Sequence, residues 1–157
     1  MNIFLPEHNE ILRAFNQHSV DYLLIGGYAV IIHGYGRTTG DMDIWLRPSN
    51  VNKKKVIDSF AAIGFSGENL TTLNHFDFTE MVMFFLGIEP HKMEFMTRVS
   101  LVEFDGAFKR RLICQIEEDF EVPVINYQDL ILTKMNTGRI KDQADIEELQ
   151  RIAKLKQ

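Results

Sequence analysis

The stretch Tyr22 to Leu46, YLLIGGYAVIIHGYGRTTGDMDIWL, constrains this chain more than any other. Tyr22-Leu23-Leu24-Ile25 is a continuous apolar run, the pattern of a strand covered on both faces. Gly26-Gly27 ends it, and a glycine pair lets the backbone turn sharply and bring its N–H groups close to a ligand. Tyr28 to His33 then has room for about two helical turns, whose N-terminus would direct positive partial charge above the glycines. Gly34 to Gly40 is a glycine-punctuated loop, and Asp41 to Arg47 a second strand. Side chains alternate along a strand, so Asp41 and Asp43 share one face while Met42, Ile44 and Leu46 enter a core from the other. An acidic face beside a tight turn that opens a helix is the arrangement expected of a metal-and-triphosphate site.

The rest of the composition sets bounds on that reading. At 157 residues and 45% hydrophobic content the chain suits one domain with a real core. The expectation is a single unit over 1–157, with a core from about 20 to 125 and closing helices from about 126 to 156. A net charge of −5 argues against a long nucleic-acid footprint, which would need a basic surface. Cys114 is the only cysteine, which excludes both a disulfide framework and a cysteine zinc cluster. The opening MNIFLPEHNE has neither a basic n-region nor a sustained apolar h-region. No apolar run approaches the roughly 20 residues a membrane helix needs. A cytoplasmic protein without a membrane partner is expected.

Outside the opening stretch, helical spacing of Ile11, Leu12 and Phe15 predicts a helix over Pro6–Gln17. Pro48-Ser49-Asn50 offers a cap for an amphipathic helix over Lys53–Ile63, with Val56, Ile57, Phe60 and Ala61 inward and Lys53, Lys54 and Lys55 on a solvated face. Ser66 to Asp77 reads as loop. Glu80–Leu86 and Lys92–Thr97 read as strands, and in the second Lys92, Glu94 and Met96 share a face. A short helical turn at Phe104–Lys109 and strands at Leu112–Ile116 and Val122–Ile125 follow, the last placed at an edge by Pro123. Asn126 caps a helix running to Thr137, Gly138 stops it, and Lys141–Leu155 forms another, with Ile146, Leu149, Ile152 and Leu155 along one side. The fold class is α+β: a mixed twisted sheet flanked by helices, with a C-terminal helical pair.

Two-metal transfer chemistry needs two cations roughly 3.5–4 Å apart, held by several hard oxygen ligands. Asp41 and Asp43 supply two carboxylates, and Glu94, a lone acid on an otherwise apolar strand, is the candidate third. Arg37 and Thr38 lie just before the acidic strand. Arg37 either pairs with phosphate oxygens or forms a salt bridge with Asp41 or Asp43. Lys134, on a largely apolar helix, either contacts phosphate or substrate or pairs with Asp142 or Asp145. Those two acids are three apart and share a helix face. GYGRTTG is not a dinucleotide fingerprint, because it follows a helix and leads into a strand. His18, His33, His75 and His91 show no metal-ligand spacing.

The Gly-Gly turn, thirteen-residue spacer and Asp-Met-Asp strand resemble the signature of the DNA-polymerase-β-type nucleotidyltransferase superfamily. The run EVPVINYQDLILTKMNTGRIKDQADIEEL is similar to the ending of small nucleotidyltransferase-like proteins, including the AbiEii-type toxins. The resemblance covers about residues 20–46 and 121–150, with Glu94 between them. It implies that Gly26 and Gly27 form the phosphate-binding turn and that Asp41, Asp43 and Glu94 are the catalytic and metal-binding carboxylates. It also implies that Lys134, Asp142 and Asp145 belong with Arg37 and Thr38 to the nucleotide site. This chain carries Gly27 where many active members carry Ser, and Glu94 where Asp is commoner.

The activity implied is Mg²⁺-dependent transfer of a nucleoside monophosphate from an NTP to a hydroxyl, with two Mg²⁺ ions as cofactors. The acceptor is left open between a small molecule, an RNA end and a protein side chain. The alternative is a catalytically weak nucleotide-binding or toxin–antitoxin partner protein of the same fold. A cognate antitoxin or a second copy of the chain are the protein partners that reading admits.

Overall fold

The computed structural model describes residues 2–156. Its elements in chain order are α1 (Pro6–Gln17), β1 (Tyr22–Ile25), α2 (Gly26–Ile32), β2 (Met42–Leu46), α3 (Asn50–Ala62), α4 (Glu68–His75) and β3 (Met83–Leu86). Then come β4 (Met93–Met96), α5 (Phe104–Lys109), β5 (Leu112–Glu117), β6 (Phe120–Val124), α6 (Tyr127–Lys134) and α7 (Ile140–Leu155). The six strands form one mixed sheet in the order β3-β4-β2-β1-β6-β5. β1/β2, β3/β4 and β5/β6 pair antiparallel, while β2/β4 and β1/β6 pair parallel. This is the α+β mixed sheet with flanking helices that the residue pattern predicts.

The alternation of β2 divides the sheet into two faces. Met42 and Ile44 pair in register with Met93 and Phe95 of β4, and this face is closed by α1 and α3. Its centre is aromatic: Phe95 stacks on Phe84 at 4.9 Å between centroids and meets Phe15 and Phe60 edge-on at 5.9 and 5.8 Å. Such pairs add about 0.5–1.5 kcal/mol each beyond their area burial. Asp43 and Trp45 point the other way. Trp45 is covered by Phe104 of α5, and its indole N–H donates to the Thr97 carbonyl. The acidic residues therefore sit on the face opposite the aromatic core, at the middle of the sheet.

Several elements differ from their predicted form. Residues 68–75, expected as loop, are helix α4. Its only buried residue is Leu73, so periodicity gave no signal; Lys53 holds its C-terminal end by donating to the Asn74 and Phe76 carbonyls at 2.8 and 2.9 Å. Lys53 is thus a capping residue rather than part of a solvated face. On α3 the Ser49 side chain caps the Asn52 N–H, and Asn52 and Ser59 are buried where Ala61 is exposed. β6 is not an edge strand: β5 lies outside it, and Pro123 is tolerated because β6 meets β1 only at Leu24↔Val124. Helix α6 ends at Lys134, before Gly138, and Leu155 at the end of α7 is exposed. Among the described residues no helix is long and apolar enough to cross a membrane.

Candidate active site

Strand register assembles the acidic floor. Ile25 of β1, Asp43 of β2, Glu94 of β4 and Phe85 of β3 stand side by side across the sheet. The Asp43 and Glu94 carboxyl groups are within hydrogen-bonding reach, and two like charges at that distance cannot both ionise freely. Burial first, and Glu94 second, push Asp43 up to about 7. Asp41 is raised as well, by burial and by a hydrogen bond with Glu89. One of its oxygens, Oδ1, is buried without a hydrogen-bond partner. Lys92 lies across the two pairs: its Nζ is 2.9 Å from Glu89 Oε1 and 3.1 Å from Glu94 Oε1.

The Gly26-Gly27 turn is fitted to this floor. Gly26 has φ +65°, and a Cβ there would fall 2.1 Å from Asp43 Oδ2, so the bare backbone lies directly against the carboxylate. A Cβ on Gly27 would fall 2.4 Å from Thr39 Oγ1 and 3.2 Å from an Arg37 guanidinium nitrogen. The predicted helix begins at the glycines themselves, with Ile25 as its cap position.

The wall opposite is a charge network from the C-terminal helices. Lys134 Nζ is 3.1 Å from Asp142 and 3.0 Å from Asp145, and all three side chains are buried. Arg37 makes two bonds to Asp145, Nε to Oδ1 at 2.8 Å and Nη2 to Oδ2 at 3.0 Å. Asp142 also accepts from the Thr137 hydroxyl at 2.8 Å and pairs with Arg139. Burial would raise Asp142, but Thr137 and Lys134 outweigh it and hold its carboxyl below the usual range. Lys134 in turn lowers Asp43 electrostatically, which places it at the junction between wall and floor.

Floor, turn and wall line one open pocket of about 650 Å³. It brings together Gly26, Gly27, Arg37, Asp41, Asp43, Glu94, Lys134 and Asp142 of the expected residues. Asp145 lies behind, at 1% exposure, holding Arg37 and Lys134. Arg37 pairs with Asp145 rather than with Asp41 or Asp43. Thr38 is not among the residues that line the pocket. Alternation counted back from Asp43 puts Asp41, Thr39 and Arg37 toward the pocket, whereas Thr38 is exposed and only its carbonyl engages, accepting from Arg37. Thr39, Glu89, Lys92, Thr137, Arg139 and Lys141 are the residues sequence reasoning missed. Lys92 had a signal, being two residues before Glu94 on one face; Glu89 had none, because only the β2/β4 pairing carries its loop to Asp41. His8 was also unread: fully buried and held below its usual pKa by that burial, it lies 3.4 Å from the His91 carbonyl of the same loop.

The donor set suits a divalent cation. It consists of hard carboxylate oxygens, one of them buried and unpartnered, with like charges pressed together that a cation would relieve. Among the described residues no three acidic or imidazole side chains converge as a closed ligand set. The expected trio is divided instead into the Asp43–Glu94 and Asp41–Glu89 contacts.

A family model described as "Nucleotidyltransferase of unknown function (DUF6036)" matches residues 5–156. No curated protein matches the chain. Among solved structures, the lincomycin-bound lincosamide antibiotic adenylyltransferase LnuA is similar over 96% of this chain and 98% of its own, at 20% identity and a TM-score of 0.56. A Thermotoga maritima protein, TM1012, described provisionally as a nucleotidyltransferase, is similar over 96% of each chain, at 15% identity and a TM-score of 0.57. At these identities the likeness speaks for the fold.

Proposed function

Because the chain belongs to the nucleotidyltransferase family of unknown function, DUF6036, we propose that it moves a nucleoside monophosphate from an NTP to a hydroxyl acceptor. The observation that carries this reading is the register of Asp43 against Glu94, beside Asp41 and beneath Gly26. The acceptor oxygen forms a bond to the α-phosphorus, the bond from that phosphorus to the bridging oxygen breaks, and pyrophosphate leaves. Glu94 takes the acceptor's proton.

Asp41, Asp43 and Glu94 would hold Mg²⁺, which supplies charge neutralisation for the triphosphate and the attacking oxygen when bound. The other groups position. The Gly26 and Gly27 backbone admits the phosphates close to the floor, and a side chain at either position would collide with Asp43 or Thr39. Arg37, oriented by its two bonds to Asp145, offers its remaining N–H groups to phosphate oxygens. Lys134, Arg139 and Lys141 add positive charge along the same rim. Transfer of this type is driven mostly by positioning and electrostatic stabilisation, which these groups provide.

The test is incubation with labelled NTPs, Mg²⁺ and a panel of hydroxyl acceptors. Lincomycin belongs in the panel because of LnuA, together with aminoglycosides, RNA ends and protein side chains. Label should move to one acceptor, and Asp41→Ala with Asp43→Ala should reduce transfer by about a thousandfold or more, the scale of losing preorganised charge stabilisation. Transfer that survives the double substitution would refute the assignment.

A further inference from the structure

Four carboxylates line the floor as two contacting pairs, and they are unequally served by cations. Lys92 Nζ bonds to Glu89 and Glu94 at 2.9 and 3.1 Å and lies 4.8 Å from the centroid of the Phe85 ring. Its backbone is fixed as well, since the Lys92 carbonyl accepts the Met42 N–H at 3.0 Å and ties the start of β4 to β2 beside Asp41. With two carboxylates and an aromatic face around it, this ammonium is a fitted part of the site, and its side chain is only 22% exposed. A divalent ion on Glu94 would have to break that pair. Asp41 and Asp43 stand differently. Asp41 keeps a buried, unpartnered oxygen, and Lys134, near Asp43, spends its hydrogen bonds on Asp142 and Asp145.

We propose that Lys92 is the second cation of this site: its ammonium neutralises Glu89 and Glu94, so that one divalent ion, held by Asp41 and Asp43, suffices in place of two. This rests on the nucleotidyltransferase reading above. It makes Lys92 a positioning residue that fixes Glu94 for the acceptor's proton, and Glu89 the anchor that holds Lys92 in place. It also narrows the reading above: the two-ion site becomes one ion plus a built-in charge, and Glu94 serves as the base and not as a metal ligand.

The experiment counts metal ions. Crystals of the full chain are grown with Mn²⁺ and an ATP analogue carrying a methylene between the α and β phosphorus, and anomalous peaks at the site are counted. Equilibrium dialysis with Mn²⁺ repeats the count in solution. One ion per nucleotide-bound chain, touching Asp41 and Asp43, is expected for the wild type. Lys92→Met, which keeps the length and removes the charge, should gain a second ion on Glu94, and Lys92→Arg should remain at one. Thermal unfolding of each variant confirms that it folds. Two ions in the wild type, or a single ion in Lys92→Met, would overturn the proposal while leaving the transferase reading intact. Nucleotide bound without any metal peak, or no nucleotide bound at all, would overturn both.

Discussion

The two charged halves of the pocket are built on opposite principles. In the C-terminal wall every buried charge faces its opposite: Lys134 lies between Asp142 and Asp145, Asp145 also pairs with Arg37, and Asp142 with Arg139 and the Thr137 hydroxyl. On the sheet floor carboxylate meets carboxylate, Asp43 against Glu94 and Asp41 against Glu89, and Lys92 bonds to the two glutamates but to neither aspartate. A buried network that is fully paired fixes one arrangement of its elements, here α6, α7 and the loop before β2. A cluster of like charges raises the free energy of the fold until a cation or proton relieves it. The wall therefore serves architecture first and the floor serves ligand first, although both line one pocket.

The largest expected effect breaks the wall. Lys134→Met leaves two buried carboxylates short of a partner, and removing one member of a buried pair costs about 3–5 kcal/mol. Arg37 and Arg139 remain as partial partners, which favours the lower end, and the loss should appear as a drop of roughly 6–12 °C in Tm. Calorimetry checks it. A Tm unchanged by this substitution would remove the distinction between wall and floor.

The floor should respond in the opposite sense, and with pH. The native state keeps the Asp43 proton up to about 7, whereas an unfolded aspartate loses it near 4. Between those values the folded chain binds a proton that the unfolded chain does not, so stability falls as pH rises through that window. The slope contributed is at most about 1.4 kcal/mol per pH unit. Asp43→Asn should flatten it and stabilise the metal-free protein at pH 8. Urea unfolding from pH 4.5 to 8 in the presence of a chelator measures both, and a slope retained in Asp43→Asn would assign it to other groups.

Much of this contrast was legible in the sequence only in part. The apolar run Tyr22–Ile25 ended by glycines, the Asp-x-Asp parity and the Asn126 cap are local signals, and the structure repeats them at those positions. Glu94 could be singled out because a lone acid on an apolar strand needs a reason. Its place beside Asp43, however, depends on β4 pairing parallel with β2, a long-range choice that no local pattern encodes. The same choice carries Glu89 and Lys92 into the site. The bond from Arg37 to Asp145 spans 108 positions and was equally invisible; Arg37 itself is marked by its place just before the acidic strand, and alternation counted back from Asp43 sets Thr39 on its side of the chain and Thr38 on the other. Helix α4 was missed because its stability lies in packing and in Lys53 rather than in its own residues.

The most direct measurement of the central claim is thermal unfolding at pH 8 with and without Mg²⁺ and NTP, in the wild type and in Asp43→Asn. If the floor is a cation–triphosphate site, ligand at a hundred times its Kd should stabilise the wild type by about 2.7 kcal/mol, roughly 5–10 °C. Asp43→Asn should start from a higher metal-free Tm and gain little from the same addition. An equal rise in both proteins, or no rise in the wild type, would contradict the account.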